Sequence, residues 1–330
     1  FLGKSFEGSV KLLHTPSDDT IWTQDYFETA INTTTKKFTI FDLPYRTQIG
    51  EHVPTAIAMA CHADLIAQAN QSAEQTLYNL GDLGGNIEAV NDRLVFVGKN
   101  ISRAQKKILK ARTAQEFVEL RVNWLDVGHV DEILSLIPKK GTHDTQCGFD
   151  ILYASPGLAL NLIKEAPADE KAEPLEMRFG FDKSLESFNL WDCAKTPSKI
   201  RGCRLVFEAN QAYEKIMQQN LIEMKNAVKT IGGCKNVNFI PIPALFSAKS
   251  ESNVYGTPND KAVSIEPNPL NNILLGHEIL VPKQHMRSLH EYTEGVLNKY
   301  DLDVNFVEGG YVHAFSGGIH CATNVRYGCK

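Results

Sequence analysis

The sequence predicts an α/β chain of short strands and short helices in alternation, on three observations. Runs rich in β-branched and aromatic residues, among them Lys37–Asp42, Arg93–Val97 and Phe149–Ala154, alternate with segments of helical period along the whole length. No linker divides the chain, and alternation without a break is the pattern of a single mixed α/β architecture. A faint echo recurs: Gly85-Asn-Ile-Glu88, Gly128-His-Val-Asp131 and Gly318-Ile-His-Cys321 each place polar residues just after a glycine at a strand junction.

Taken in order, residues 1–14 read as a helix with Phe1, Leu2, Phe6 and Val10 inward, and Ile21–Ala30 as a short extended segment. Lys37–Asp42 is a strand ended by Pro44. Val53–Leu80 carries helical spacing for much of its length, and Gly81, Gly84 and Gly85 make a tight loop. Arg93–Val97 is a strand and Ser102–Leu109 a helix. Thr113–Leu120 reads as a further helix, because Thr113 with Glu116 three residues on forms a capping box. Val122–Val127 and Ile133–Ile137 are apolar runs, Phe149–Ala154 a buried strand and Pro156–Glu165 a short helix. Leu205–Ile231 is the clearest helix, with Ala209, Tyr213, Ile216, Leu221, Met224 and Val228 on one face and Gly232-Gly233 as its stop. Asn236–Phe246 holds two prolines and is expected as an edge strand or an irregular one. Val263–Pro267, Asn272–Leu275 and Glu278–Val281 are strand pieces, His285–Tyr300 a helix, and Val304–Val307 and Tyr311–Phe315 strands.

Composition narrows the function classes. With 330 residues, 43% of them hydrophobic and a net charge of −5, the chain has a globular balance, and no basic run argues for a nucleic-acid partner. The apolar runs fall far short of a membrane span. Seven cysteines, an odd number with no CxxC pair, fit buried free thiols better than a disulfide framework or a zinc ribbon.

Four residues carry chemistry as a set. Cys321 stands at a strand-to-turn junction. His129 and Asp131 are two apart, so in an extended segment both would face one site. Asp25 lies among Trp22, Tyr26 and Phe27, where a carboxylate loses water at a cost. Singly, each is an ordinary residue. Together, two carboxylates suit the planar donor fork of a guanidinium, a thiolate can attack its central carbon, and a histidine can supply the proton that departing ammonia needs.

At these residues the chain resembles the catalytic domain of the protein-arginine deiminases. The resemblance rests on Trp22-Thr-Gln-Asp25, Gly85-Asn-Ile-Glu88, Trp124-Leu-Asp-Val-Gly-His129-Val-Asp131-Glu-Ile-Leu-Ser-Leu-Ile-Pro138, Ala154-Ser-Pro, Ile242-Pro-Ala-Leu-Phe246, Asn271-Asn-Ile-Leu-Leu-Gly276 and His320-Cys-Ala-Thr-Asn-Val-Arg326. A small-molecule agmatine deiminase is similar around Gly-His-Val-Asp and His-Cys. Gln24 and the Thr-Asn-Val-Arg tail look more like the protein-modifying family.

The resemblance implies a pentein α/β-propeller, five ββαβ modules around a pseudo-fivefold axis, with residues 1–330 as a single catalytic domain truncated at its start. It implies Cys321 as nucleophile, His129 as general acid/base, Asp25 and Asp131 on the guanidinium and Trp22 against the substrate's methylene stem. Hydrolysis of peptidyl-arginine to citrulline would pass through a covalent thiouronium. It also implies calcium, at one site formed by Gln24, Glu28 and Glu88 with the carbonyls of Gly84 and Ile87, an all-oxygen set suited to Ca²⁺. A second family site is expected to be lost, since Tyr26, Leu43 and Arg46 stand where it needs oxygen ligands and only Asp42 matches. Arg46 either fills that place as a fixed cation or binds substrate backbone. The expected partner is a protein or peptide bearing arginine. The architecture fits a secreted or effector module, with compartment and oligomeric state open. Two other readings stand beside this one: a deiminase of free arginine or agmatine, and a zinc-binding protein using His143 with Cys147, or His313 and His320 with Cys329.

Overall fold

A computed structural model of the chain describes residues 21–44, 52–66, 79–141, 144, 146–166, 201–248, 261–309 and 317–324. They fall into two compact units. The smaller includes Tyr26–Tyr78, and the larger comprises Trp22–Asp25 and Asn79–Val325. The expected helix at 1–14, strand Tyr311–Phe315 and Arg46 lie outside the described residues.

In the smaller unit, strands β1 (Phe27–Ile31) and β2 (Phe38–Asp42) pair antiparallel. Helix α1 (His52–Ala60) intervenes before β3 (Asp64–Ile66), which returns parallel to β2. Parallel pairing requires such a crossover. The helix expected across Val53–Leu80 therefore ends at Ala60. His62 takes a left-handed conformation (φ +50°) that turns the chain, and the next residues are claimed by the β2 edge.

The larger unit repeats this antiparallel-then-parallel order. Strands β4 (Ile87–Ala89), β5 (Leu94–Gly98) and β6 (Glu116–Leu120) form one sheet, with helix α2 (Arg103–Lys110) in the crossover. A second sheet holds β7 (Leu134–Pro138), β8 (Phe149–Ser155) and β9 (Phe239–Pro243), with α3 (Pro156–Glu165) and α4 (Arg201–Thr230) between the last two. Strands β10 (Phe246–Ala248) and β11 (Ala262–Ser264) make a two-stranded sheet. The last sheet holds β12 (Ile273–Leu275), β13 (Glu278–Pro282) and β14 (Asp303–Val307), with α5 (Arg287–Leu297) in its crossover.

The central strands β5 and β8 are buried along their whole length, which is why they read as unbroken apolar runs. As expected, β9 with its two prolines lies at an edge. Glu116–Leu120 is a strand where the capping box predicts a helix. Glu116 N–H donates to Arg93 O and the segment continues parallel to β5, so a sheet partner invisible to local periodicity overrides the cap signal.

Helix α4 organises the core through a buried stripe that includes Tyr213, Met217, Leu221, Met224 and Val228, each side chain contributing about 1.5–3 kcal/mol by leaving water. Tyr213 stacks on Trp124 at 4.5 Å, and Phe246 meets Trp124 edge-on at 4.9 Å. Two fully buried asparagines on this helix complete main-chain hydrogen bonding elsewhere. Asn210 Nδ2 donates to Phe246 O and its Oδ1 accepts from Phe246 N–H; Asn220 does the same with Arg121. Each substitutes for a missing strand neighbour, as buried peptide groups require.

The cysteines depart from expectation. Cys147 and Cys234, 87 residues apart, form a disulfide, and Cys61 is also disulfide-bonded. Cys147 is thereby lost as a zinc ligand with His143. The Cys147–Cys234 bridge ties the turn before β8 to the residues that follow α4. Replacing both with serine should lower stability to chemical denaturation by about 2–4 kcal/mol. Equal unfolding midpoints for the variant and the parent would contradict this assignment.

Candidate active site

The site is assembled by turns at strand ends within the larger unit. Asn86, fully buried, donates to Gly81 O at 2.7 Å and to Asn100 Oδ1 at 3.0 Å, and accepts from Gly98 N–H at 3.0 Å. Asn100 in turn donates to Gly128 O at 2.9 Å. Gly128 is left-handed (φ +77°), a conformation glycine adopts without steric cost. This relay of amides fixes the 3-10 turn at Gly84–Asn86 and the backbone that delivers His129.

His129 is extended, but Asp131 lies in a 3-10 turn, Val130–Glu132, so the two do not share a face by strand alternation. Glu132 closes that turn by accepting from His129 N–H at 2.9 Å. The two side chains nevertheless meet over Gly85. A methyl group there would come within 2.5 Å of His129 Nδ1 and 3.0 Å of Asp131 Oδ2, so only glycine leaves them room. His129 Nε2–H donates to Leu80 O at 2.8 Å, and Nδ1 lies 3.8 Å from Asp25 Oδ1.

Cys321 arrives on the loop 317–324. Asp131 Oδ2 receives the thiol at 3.6 Å, His320 Nδ1–H at 2.9 Å and Asn271 Nδ2–H at 3.1 Å. Its other oxygen, Oδ1, is buried with no hydrogen-bond partner among the described residues. The Trp22–Asp25 segment is stitched to the same loop: Gln24 N–H donates to Cys321 O at 3.2 Å and Asn324 Nδ2 to Thr23 O at 3.3 Å. Gly317 has room only for hydrogen where the Trp22 ring lies over it. Trp22, Asp25, His129, Asp131 and Cys321 are thus brought together.

Of the residues expected to bind calcium, Gln24 is buried beside Cys321, while Gly84, Ile87 and Glu88 follow one another through the 3-10 turn into β4. Glu28 is on β1 of the smaller unit, paired in register with Phe41. Tyr26 and Leu43, at the positions of the second family site, are buried in that unit. Two residues inside the site were not expected there by the sequence reading: Asn271 had no assigned role, and His320 stood only in the zinc alternative. Both occur in motifs that carry the family resemblance, and the contact of His320 with Asp131 has its signal in adjacency to Cys321.

The electrostatics are those of acids short of a cation. Burial raises Asp25 to about 6; His129, Gly85 N–H and His320 oppose this and Asp131 adds to it. Burial also raises Glu132 to about 7, against the hydrogen bond from His129 N–H. Glu88 is half-buried along its length, but its carboxyl is enclosed and pushed up to about 7, with His320 opposing and Asp131 adding. Burial alone would depress His129; Asp25, Asp131 and Glu132 outweigh it, so the imidazole binds its proton more tightly than usual. The Cys321 thiol is pushed well up, by burial first and then by Asp131, with a Gly318 main-chain hydrogen bond opposing. Neither Asp25 nor Asp131 pairs with a lysine or arginine among the described residues.

Comparison with known proteins agrees with this picture. The family model for protein-arginine deiminase (PAD) matches residues 72–329. Human protein-arginine deiminase type-1 is 30% identical over 238 residues, 69% of this chain and 32% of that protein. Rat protein-arginine deiminase type-3 is 28% identical over 260 residues, 76% of this chain and 34% of that one. The chain therefore spans about a third of the length of these relatives. Among solved structures, a protein provisionally described as a peptidyl-arginine deiminase superposes with a TM-score of 0.55 at 14% identity, covering 96% of this chain and 77% of that one. The agmatine deiminase of C. jejuni superposes with a TM-score of 0.51 at 11% identity, covering 94% and 73%. These structures share the mixed α/β fold of the pentein deiminases, and with the match over residues 72–329 the chain belongs to the protein-arginine deiminase family.

Proposed function

We propose that the protein deiminates the guanidinium group of arginine in a protein or peptide, giving citrulline and ammonia. The observation that carries this is the buried Asp131 Oδ1, without a hydrogen-bond partner among the described residues, beside Asp25 and a thiol, with no lysine or arginine paired to either carboxylate among those residues. A buried carboxylate oxygen without a donor is costly, and a planar cation with several N–H groups satisfies it.

In this reading the substrate guanidinium lies between Asp25 and Asp131, with its stem against Trp22. Its positive charge offsets the carboxylates that hold the Cys321 thiol protonated, so the nucleophile is released when substrate binds. The Cys321 sulfur bonds to the guanidinium carbon. His129 delivers a proton to one nitrogen, and the C–N bond breaks with loss of ammonia. The thiouronium left on sulfur is attacked by water, which gives up a proton to His129; the C–S bond breaks, leaving the urea of citrulline and a free thiol. The five-module pentein propeller is the architecture we infer for this chain from its family membership, supported by the ββαβ order that recurs in four of the described sheets.

Protein-bound arginine is favoured as substrate over a free guanidine by the family match and by the protein-arginine deiminase relatives. The resemblance to agmatine deiminase marks the alternative. Ammonia and ureido product formed from an arginine peptide and from free arginine or agmatine, with Cys321→Ala as control, decide between them. Turnover on peptide that vanishes in Cys321→Ala is expected. Preference for the free guanidine would move the substrate assignment, and equal turnover in both proteins would refute the mechanism.

The pH dependence follows from Asp25. Its folded pKa, about 6, lies above its ordinary value, so it must lose a proton before it can hold a cation. Catalytic efficiency, kcat/KM, should rise as pH increases through about 6. In Asp25→Asn it should fall by about 10²–10³-fold, the scale of one buried charge pair left unmade. An acid limb unchanged in that variant would contradict the assignment.

We further propose one calcium ion, held within the larger unit by Gln24, Glu88 and the carbonyls of Gly84 and Ile87. The enclosed Glu88 carboxyl, pushed up to about 7, fits a ligand lacking its cation. Bound there, the ion would supply fixed positive charge beside the turn that carries Gly85. In the metal-free protein, Asp25, Glu88 and Glu132 have folded pKa values raised to about 6, about 7 and about 7, so the stability these three groups contribute is present at lower pH and is lost as pH rises through that range. Millimolar Ca²⁺ should raise the urea midpoint at pH 7.5, and Glu88→Gln should abolish the rise. No change in the parent protein would remove calcium from the account.

A further inference from the structure

Loop 317–324 has no strand or helix to hold it, yet it must place one sulfur to within a fraction of an ångström. The residue that grips it is Asn271, just before β12 and 3% exposed. Its Oδ1 accepts from the Cys321 main-chain N–H at 3.2 Å. Its Nδ2 donates to Cys321 Sγ at 3.2 Å and to Asp131 Oδ2 at 3.1 Å. Its own carbonyl accepts from His320 N–H at 3.2 Å. The side-chain amide is fully used, both N–H groups and the oxygen, and every partner belongs to the reacting thiol or to the carboxylate beside it.

Gly318 supports the same conclusion independently. Its φ is not in the left-handed region, so the backbone does not demand glycine there. Space does: a Cβ at Gly318 would overlap Asn271 Oδ1 and come within 2.7 Å of Cγ and 2.8 Å of Cβ. The loop is cut away at the point where the Asn271 amide must enter.

We propose that Asn271 is the positioning residue of the nucleophile, clamping the main chain and sulfur of Cys321 in register with Asp131, with Gly318 as the notch that admits it. The proposal rests on the deiminase reading for its kinetic consequence but not for the clamp itself. Asparagine has the chemistry required, since aspartate would add another acid and serine could not span the main chain and both side chains. Asp131 is also held by His320 at 2.9 Å, a contact that does not involve the Asn271 side chain, so on removing Asn271 substrate binding should be largely retained while the aim of the sulfur is lost. A misplacement of about 1 Å at a reacting atom costs on the order of 10²-fold in rate.

The test compares Asn271→Ala and Gly318→Ala with the parent in two measurements: kcat and KM on an arginine peptide, and amide hydrogen exchange resolved at Cys321. In both variants exchange at Cys321 should accelerate about five- to tenfold, the loss of one hydrogen bond. In both, kcat should fall about 10²-fold with KM within about threefold. Gly318→Ala retains the asparagine and displaces it, so it carries the test if Asn271→Ala does not fold. Unchanged exchange at Cys321 overturns the clamp whatever the activity. Faster exchange with kcat within twofold of an active parent overturns the positioning role. A parent that forms no citrulline refutes the deiminase reading alone, and the exchange then decides the clamp by itself.

Discussion

The structure depends on an unbalanced charge. The carboxyls of Asp25, Asp131 and Glu132 are enclosed around two histidines and one thiol, and the fold supplies Asp25 and Asp131 with no lysine or arginine among the described residues. Burying acids in this way destabilises the empty protein and shows in the raised pKa values of Asp25 and Glu132. Such an arrangement persists when a cation completes it. Burial first and Asp131 next push the Cys321 thiol up, and in the proposed reading a cation entering beside it would release the nucleophile.

The scaffold meets this demand with small sheets. Three-stranded sheets leave many main-chain groups without a strand neighbour, and buried side-chain amides take their place. Asn210 and Asn220 complete Phe246 and Arg121, Asn86 and Asn100 lock the turns before Ile87 and His129, and Asn271 grips Cys321. Buried, fully satisfied amides are rigid because breaking any one bond leaves an unpaired group. Rigidity at these points lets the side chains of the candidate site stand on turns, where residues from distant segments can converge.

Much of the fold was legible in the sequence. Leu94–Gly98 and Phe149–Ser155 announce central strands because both faces are buried, and α4 announces itself by its period. Glu116–Leu120 misleads because Thr113 and Glu116 imitate a helix cap, while the cause of the strand is pairing with β5. Cys147 and Cys234 look like free thiols because adjacency across 87 residues leaves no local trace. In the site, Asp25, His129, Asp131 and Cys321 were identifiable by their chemistry, although the reason offered for His129 and Asp131, strand alternation, was not the one the structure uses. Asn271 could be found only as part of a motif. Its role depends on which atoms it touches, and residue type carries no such information.

The central claim is that the cation completing this site is a guanidinium that becomes bonded to Cys321. Rapid acid quench of the protein with an arginine peptide, followed by mass spectrometry of the Cys321 peptide, tests it directly. The account predicts an adduct on Cys321 whose added mass is that of the substrate less ammonia, and its absence in Cys321→Ala. Citrulline formation that proceeds without such an adduct, or with the adduct on another residue, would contradict it.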